Sequence, residues 1–419
     1  MSSIQPLNLC QKAFLLTWES NSVGDTQGDQ LTLAKNLHNH LTKFLSLPDV
    51  QTAMEGQWSV VWGPAVFEDQ PGGSSYADNV MYVAASPDQS VYVVAIAGTN
   101  FNDLLADVLV EDNCVVNAIP LAQAFPSLNG CDVPSGINAP HISQGTQVGV
   151  TNLLKMTDLT QRSLVDFLCS LGPTGSKTLI FTGHSLGGAL APTLALALAT
   201  SKGTRFSTAN WGHVYVLPTA GPTPGDENFA NLFKQVFSPV NPGWSQDYYA
   251  WNQNIWNSLD AVPHAWVTSM LSEVPTLYPA PWTTGMTGVP PQPIPSDLQN
   301  LVDGAILSSL LFGINALSPF THIPNIQVKG TFNDKYPIVG DDSKSLTAAF
   351  LAQVGYQHID AYSNLFGVQD LVTKHSQSSL RQKTAGLMAT VQRMAEKTKR
   401  RAAVENLIQH LDKRTRKAG

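Results

Sequence analysis

The chain is poor in cysteine and in charged residues, and it lacks any long apolar run. Charged residues make up 13% of its 419 positions against 43% hydrophobic ones, which excludes a disordered acidic chain and a coiled coil. The longest apolar stretches, such as 194–199 and 306–317, are too short or too polar to span a bilayer. The sequence therefore predicts a large globular protein with a sizeable core.

The cysteines and the N-terminus indicate in which cellular compartment the protein is expected. The chain has 4 cysteines, which is too few for a disulfide framework, and no CxxC or HExxH spacing indicates a metal site. No Lys or Arg precedes Lys12, and the apolar patch at 13–16 is too short for a secretory signal. A cytoplasmic location is the default expectation, with export by another route left open. In a reducing cytosol Cys114 and Cys131 are expected as free thiols, although a bridge between them stays open.

Positive charge is concentrated at the C-terminus. From Lys374 onward lie 12 of the 24 basic residues but only 3 of the 31 acidic ones, so this part carries +9 and the remainder about −16. A protein body with that net charge is not expected to bind nucleic acid. Apolar residues recur at helical spacing among the basic ones, so we predict a domain over 1–375 and a basic amphipathic helical tail over 376–419. Two interpretations of the tail stay open, namely docking on the acidic body and contact with an anionic membrane, a lipid droplet or a partner.

Short apolar runs alternate with helical stretches from about residue 80 onward. Residues 80–84 and 91–95 are predicted to be strands joined by a short turn, and the sheet is expected to begin there. Further strands are predicted at 178–181, 213–217, 248–255 and 326–332. Such alternation is typical of an α/β fold with a mostly parallel sheet and crossover helices.

One serine stands at a strand-to-helix junction. Gly183-His184-Ser185-Leu186-Gly187 is a G-x-S-x-G motif between a buried strand and an apolar helix. A sharp turn there would lift the Ser185 hydroxyl out of the sheet, and Gly183 and Gly187 omit the side chains that such a turn cannot accommodate. This context predicts Ser185 as a nucleophile, with a packing seam of small residues as the alternative.

At these residues the chain resembles the class 3 (fungal-type) lipase family of α/β hydrolases. Its nucleophile segment is similar to 183–191, and further similar segments lie at 91–107, 219–230 and 257–263. The resemblance covers roughly 80–366 and implies an α/β-hydrolase fold, a mostly parallel central sheet flanked by helices. It also implies that Thr99, in Gly98-Thr99-Asn100, donates to the oxyanion. Ala97 stands where the family commonly has an arginine, so the charges that support this loop must differ.

A serine nucleophile needs an imidazole to accept its proton and a carboxylate to orient that imidazole. Asp260 follows a predicted strand, where sheet enzymes assemble their sites, and is the predicted acid. A surface turn aspartate is the alternative, and Asp226 and Glu227 are weaker candidates for the acid.

Five histidines follow Asp260 in the chain. His264 is too near the acid, and His375 and His410 approach or occupy the tail. His358 and His322 remain, together with a purely structural histidine. The resemblance favours His358, which is followed by a tyrosine as in the family.

These residues together predict a serine carboxylic-ester hydrolase that requires neither a metal nor an organic cofactor. The backbone N–H of Leu186, which follows the nucleophile, is predicted as one oxyanion donor, and the resemblance implies Thr99 as the other. The expected substrate is an ester lipid, and acylglycerols are favoured over phospholipids or short soluble esters. A non-catalytic lipid- or membrane-binding protein is the alternative from another class.

A long apolar interval separates Asp260 from His358. Prolines break its first part, so we predict a proline-rich connector followed by one apolar helix, within a lid or cap insertion over 265–325. A lid that contacts a lipid interface and a helix buried permanently against the sheet both stay open. Residues 107–152 are a second candidate for a lid.

Overall fold

The structure is a computed structural model that describes residues 5–24, 26–69, 76–98, 117–283, 291–316 and 318–375. Thr99, Cys114 and the predicted basic tail 376–419 lie outside the described residues, as do parts of both lid candidates. The division into a domain over 1–375 and a tail therefore stays a prediction.

Nine strands are described, and seven of them form the central sheet in the order β1-β2-β3-β6-β7-β8-β9. The strands are β1 Ser59–Phe67, β2 Asn79–Ala85, β3 Val91–Ile96, β4 Ala118–Pro120, β5 His141–Ser143, β6 Thr174–His184, β7 Trp211–Thr219, β8 Asn254–Asn257 and β9 Asn325–Val328. The first three pair antiparallel, and those from β3 to β9 in the sheet order pair parallel. The carboxyl ends of the parallel strands therefore meet at one edge, where a site is expected.

Helices cover both faces of this sheet. They are α1 Leu9–Glu19, α2 Gln30–Leu45, α3 Pro48–Met54, α4 Leu121–Ala124, α5 Gln144–Lys155, α6 Leu164–Ser170, α7 Leu186–Ala199, α8 Glu227–Val236, α9 Thr268–Leu271, α10 Ser296–Ala316, α11 Ser343–His358, α12 Asp360–Leu365 and α13 Gln369–His375. In the described part of the chain, no helix combines the length and the apolar character that crossing a membrane requires.

Alternate residues of the strands divide the core into two clusters, one on each face of the sheet. Tyr82 and Ala84 of β2 belong to the cluster with α1, α2 and α11, whereas Met81 and Val83 belong to the cluster with α5, α7 and α8. Every residue of β2 is buried, as a strand covered on both faces requires. The predicted mostly parallel sheet flanked by helices is thus confirmed.

Three of the predicted strand positions are wrong. The sheet begins at β1 rather than near residue 80, and β1 is irregular because its pairing with β2 shifts register between Val60 and Ala65. The predicted strand 248–255 starts only at Asn254, since Asn252 has φ 62° and turns the chain. The aromatic ring of Trp251 stacks on Tyr215 instead, with 5.1 Å between centroids. β9 also ends at Val328, short of the predicted 332.

The apolar helix predicted after the proline-rich connector is α10. Leu298, Val302 and Ala305 on it are buried, while Leu310 is half exposed. The Ser309 hydroxyl donates to the Trp266 carbonyl at 2.5 Å and lies 2.8 Å from the Thr268 hydroxyl. The helix is thus packed and tethered in this conformation, and its role as a lid stays a prediction.

Candidate active site

Ser185 lies at the tight turn that joins β6 to α7. Its backbone has φ 61° and ψ −127°, a conformation that a residue with a side chain rarely adopts. The Ser185 N–H donates to the Thr219 carbonyl at 3.0 Å, and its own carbonyl accepts from the Gly188 N–H at 2.8 Å. The neighbouring strand and the first turn of the helix therefore hold the strained residue in place.

Close backbone packing explains the glycines around the serine. A Cβ atom on Gly183 would overlap the carbonyl oxygen of Gly187. A Cβ atom on Gly187 would lie 2.6 Å from the carbonyl oxygen of Ile96 on the adjacent strand. Side chains at either position would force the turn open, so the local sequence determines the geometry of Ser185.

Folding brings the predicted acid and histidine to this serine. His358 is the last residue of α11, and its Nε2 lies 2.8 Å from Ser185 Oγ. The other ring nitrogen, Nδ1, lies 2.8 Å from Asp260 Oδ2. His358 and Asp260 have no exposed surface, and Ser185 is 1% exposed. The three groups form a continuous hydrogen-bonded chain that is shielded from water.

The carboxylate of Asp260 receives two further hydrogen bonds. Its Oδ2 accepts from the Tyr362 hydroxyl at 2.7 Å and its Oδ1 from the Val262 N–H at 3.0 Å. Burial and the nearby charge of Asp260 raise the pKa of Tyr362 well above its ordinary value. Tyr362 is therefore a neutral donor, fixed in turn by the Asn257 N–H at 2.9 Å from its oxygen.

His184, next to the serine, supports the backbone of His358. The His184 Nε2 lies 2.8 Å from the His358 carbonyl, to which it donates, and Nδ1 lies 3.0 Å from the Thr219 hydroxyl. The carbonyl can only accept, so this partner assigns a proton to Nε2. This contact couples the serine turn to the end of α11. Sequence reasoning treated His184 as part of the motif and did not assign it this contact.

The end of α11 is also tied to the strand that precedes the acid. The Asn257 side chain donates to the Gln357 carbonyl at 3.0 Å and to its Oε1 at 2.7 Å. Gln357 donates in turn to the Thr331 carbonyl at 2.8 Å. These buried amides position His358 from the other side. Asn257 lies in the segment 257–263 that is similar to the family, but nothing in the sequence marks Asn257 or Gln357 for this role.

His322, the other candidate histidine, lies elsewhere. Its ring stacks on Trp256 with 5.6 Å between centroids, and its Nε2 has no partner among the described residues. Burial and the neighbouring His264 lower the pKa of His322 to about 4. His264 contacts the backbone carbonyl of Asp260 at 2.9 Å, not its carboxylate. The structure thus places His358, rather than His322, against Ser185.

Of the two predicted oxyanion donors, Leu186 lies within the described residues and Thr99 does not. Leu186 begins α7, so its backbone N–H belongs to the helix N-terminus, where negative charge is stabilised. Thr99 lies outside the described residues, and the last described residue before it is Gly98. Its role stays a prediction.

A second histidine–aspartate pair joins β5 to the start of α8. Asp226, a weaker candidate for the acid, is fully buried and lies with its Oδ2 3.2 Å from His141 Nδ1. It caps α8 and accepts from the Phe229 N–H at 2.9 Å. Across the described ranges, no group of three or more His, Cys, Asp or Glu side chains is arranged to hold a metal ion. The thiol of Cys131 is free and buried, while its candidate partner Cys114 lies outside those ranges.

The chain is similar in sequence and in structure to known lipases. Residues 121–269 match the sequence model of the class 3 lipases. The crystal structure of M37 lipase is similar over 91% of this chain and 98% of that chain, with a TM-score of 0.68 and 25% identity. The Rhizomucor miehei lipase–propeptide complex covers 62% of this chain and 65% of that chain, with a TM-score of 0.36 and 17% identity. No curated protein matches the chain in sequence.

The resemblance to class 3 lipases and the predicted α/β-hydrolase fold are confirmed by these matches. The match supports ester hydrolysis of the lipase type as the class of activity. The matched segment contains Ser185 and Asp260 but not His358 or Thr99, whose roles rest on other grounds.

Proposed function

We propose that this chain hydrolyses carboxylic esters through an acyl-enzyme, with Ser185 as nucleophile, His358 as general base and Asp260 as the acid that orients His358. The observation that carries the proposal is the chain of two 2.8 Å hydrogen bonds from Ser185 through His358 to Asp260. A serine in a strained turn, an imidazole and a buried carboxylate at these distances are the parts that acyl transfer requires.

The chemistry follows from the direction of these bonds. Ser185 Oγ attacks the ester carbonyl carbon while its proton passes to His358 Nε2. The tetrahedral oxyanion is stabilised by the N–H of Leu186 and by Thr99. His358 then returns the proton to the leaving alcohol, and the acyl group stays on Ser185. Water then attacks this acyl group while His358 accepts its proton, and His358 passes that proton to Ser185 Oγ as the bond to the acyl group breaks and the acid leaves.

The Asp260 environment suits an orienting role. An ionised carboxylate can only accept hydrogen bonds, and Tyr362 and Val262 supply donors beside that of His358. In this arrangement the carboxylate accepts from His358 Nδ1–H, which leaves Nε2 to accept the proton of Ser185.

Acylglycerols are the substrate class that we propose, with α10 as part of a lid. An apolar cavity of about 30 Å³ lies between α10, α11 and the segment after Asp260, lined by Val262, Leu298 and Phe350 among others. It is far smaller than the several hundred Å³ of a typical ligand pocket. We propose that a long acyl chain binds when α10 shifts, which a lipid interface would favour because it lowers the cost of exposing apolar surface. Contact of the tail 376–419 with an anionic interface belongs to the same proposal.

Hydrolysis of a soluble nitrophenyl ester tests the chemistry. Ser185→Ala is expected to lower kcat by about 10³-fold or more because the nucleophile is lost. Ser46→Ala, at the end of α2, serves as the matched control and is expected to behave as wild type. Equal activity of Ser185→Ala and wild type would reject the proposal.

The substrate class needs a second measurement. We expect long-chain esters in emulsion to be hydrolysed faster than the same esters below their solubility limit. A preference for short, fully dissolved esters, with no gain from an interface, would instead favour a soluble esterase.

A further inference from the structure

The end of β3 lies directly against the turn that carries Ser185. Ile96 is paired with Gly183 of β6, and the Ala97 N–H donates to the Val80 carbonyl at 3.0 Å. At Gly98 the chain is so close to the turn that a Cβ atom would lie 2.9 Å from the His184 carbonyl oxygen and 3.1 Å from Ser185 Cβ. The position of Gly98 is therefore coupled to that of the nucleophile.

A side chain from outside the sheet binds the Gly98 backbone. The Gly98 N–H donates to Asn21 Oδ1 at 2.9 Å, just after the C-terminal end of α1. The amide nitrogen of Asn21 donates to the carbonyls of Thr17 at 3.1 Å and Trp18 at 3.4 Å. Both ends of the amide therefore have partners of the right kind, which fixes its orientation.

The helix that precedes Asn21, α1, is itself held to the strands of the site. The Thr17 hydroxyl lies 2.7 Å from that of Thr182, three residues before Ser185 on β6. The Tyr82 hydroxyl donates to the Leu16 carbonyl at 2.6 Å. These contacts are buried, so they fix the position of Asn21 relative to the turn that carries Ser185.

We infer that Asn21 is a positioning residue, which holds the end of β3 at Gly98 against the turn of Ser185. This inference rests on the proposed function. The residue after Gly98 is Thr99, which the resemblance implies as an oxyanion donor and which lies outside the described residues. The side-chain amide of Asn21, just after α1, would then hold this part of the chain in place, where Ala97 stands instead of the family's common arginine.

The expected effect is on the transition state rather than on substrate binding. Displacement of a group near the reacting centre by about 1 Å can cost as much as 10²-fold in rate. Asn21→Leu, which removes the acceptor at similar size, should therefore lower kcat on a soluble nitrophenyl ester by about tenfold to 10²-fold with KM unchanged. Asn21→Asp keeps the acceptor for Gly98 but loses the donor to the Thr17 and Trp18 carbonyls, so it should retain clearly more of the wild-type kcat than Asn21→Leu.

The controls separate positioning from stability. Ser22→Ala changes a hydroxyl in the same turn that donates to the Glu19 carbonyl at 2.8 Å, and it should leave kcat at the wild-type value. The unfolding temperature of each variant is measured alongside, and Asn21→Ala replaces Asn21→Leu if the latter does not fold. A kcat loss in Asn21→Leu that Asn21→Asp rescues, without a matching change in KM, supports the inference.

Three results would overturn it. They are a kcat of Asn21→Leu within about twofold of wild type, an effect on KM alone, and an equal kcat loss in Asn21→Asp. Ser185→Ala is measured in the same series. Full activity of that variant would reject the proposed function itself, whereas its inactivity beside a fully active Asn21→Leu would reject only the role of Asn21.

Discussion

Two buried histidine–aspartate pairs in the described part of the chain have similar chemistry but different surroundings. In the pair of His358 and Asp260, the far ring nitrogen lies 2.8 Å from the hydroxyl of Ser185, whose backbone is strained. In the pair of His141 and Asp226, the carboxylate also accepts from the His141 N–H at 3.0 Å and the Ser318 hydroxyl at 3.0 Å. A paired imidazole is therefore insufficient for nucleophilic catalysis, which also needs a serine held at its free nitrogen.

The second pair has an architectural explanation. Asp226 caps α8 and connects β5 with the segment that follows α10. Burial raises the pKa of Asp226, although its hydrogen bonds and the nearby His141 oppose this effect. The two pairs should thus respond oppositely to mutation, the first in activity and the second in stability.

The largest expected effect is that of Asp260→Asn on activity. An amide at this position no longer fixes the proton of His358 on Nδ1, so we expect kcat to fall by about 10⁴-fold with little change in KM. Steady-state hydrolysis of a soluble ester measures this. A loss of kcat of less than about tenfold would contradict the proposal that the pair of His358 and Asp260, unlike the second pair, acts in catalysis.

Asp226→Ala should reverse that pattern. Loss of the α8 cap and of buried hydrogen bonds is expected to lower the free energy of unfolding by about 3 kcal/mol. The kcat per folded molecule should change by less than about threefold. Urea denaturation, with active-site titration of the folded fraction, measures both. A selective loss of kcat at full stability would assign Asp226 to the chemistry.

His322 offers a third case, a buried histidine without a carboxylate partner. Its pKa of about 4 lies below the ordinary 6.5, so the unfolded state binds more protons between these values. The associated stability is fully present above pH 6.5 and decreases as the pH falls towards 4, by about 2 kcal/mol at pH 5. His322→Phe should remove this part of the pH dependence, as denaturation at pH 5 and pH 8 would show. An unchanged slope in the variant would exclude His322 as its source.

The smallest effect concerns the tyrosine that binds the proposed acid. Tyr362→Phe removes a donor to Asp260 but leaves those from His358 and Val262, so kcat should fall by about tenfold or less with KM unchanged. Identical kcat in wild type and variant would limit Tyr362 to a packing role.

The sequence predicts what is encoded locally. The turn around Ser185 depends on glycines within four positions of one another, so its motif could be recognised without the fold. The strands at 178–181 and 213–217 were predicted correctly because their residues are mostly apolar, and the end of each strand lies in the buried part of the sheet. The strand predicted at 248–255 is wrong before Asn254, because the aromatic residues there pack on rings from other elements. The preference of such residues for strands depends on their surroundings.

What depends on contacts distant in sequence could not be predicted. His358 and His322 both fit the chain order, and the resemblance to the family favoured His358, but the contact of its ring with Ser185 depends on the position of α11. That position depends on Asn257 with Gln357 and on His184 with the His358 carbonyl, contacts that span 100 or more residues. Asn21 likewise reaches across 77 residues to Gly98, and no local pattern marks it.

The most direct test of the central claim is the location of a covalent adduct with a fluorophosphonate. This reagent reacts with a serine whose proton an adjacent base accepts, and the adduct resembles the tetrahedral transition state. Peptide mass spectrometry of the labelled wild-type protein should find the phosphonyl group on Ser185, with labelling abolished in Ser185→Ala and strongly slowed in His358→Ala. An adduct on another residue, or equal labelling of all three proteins, would contradict the account.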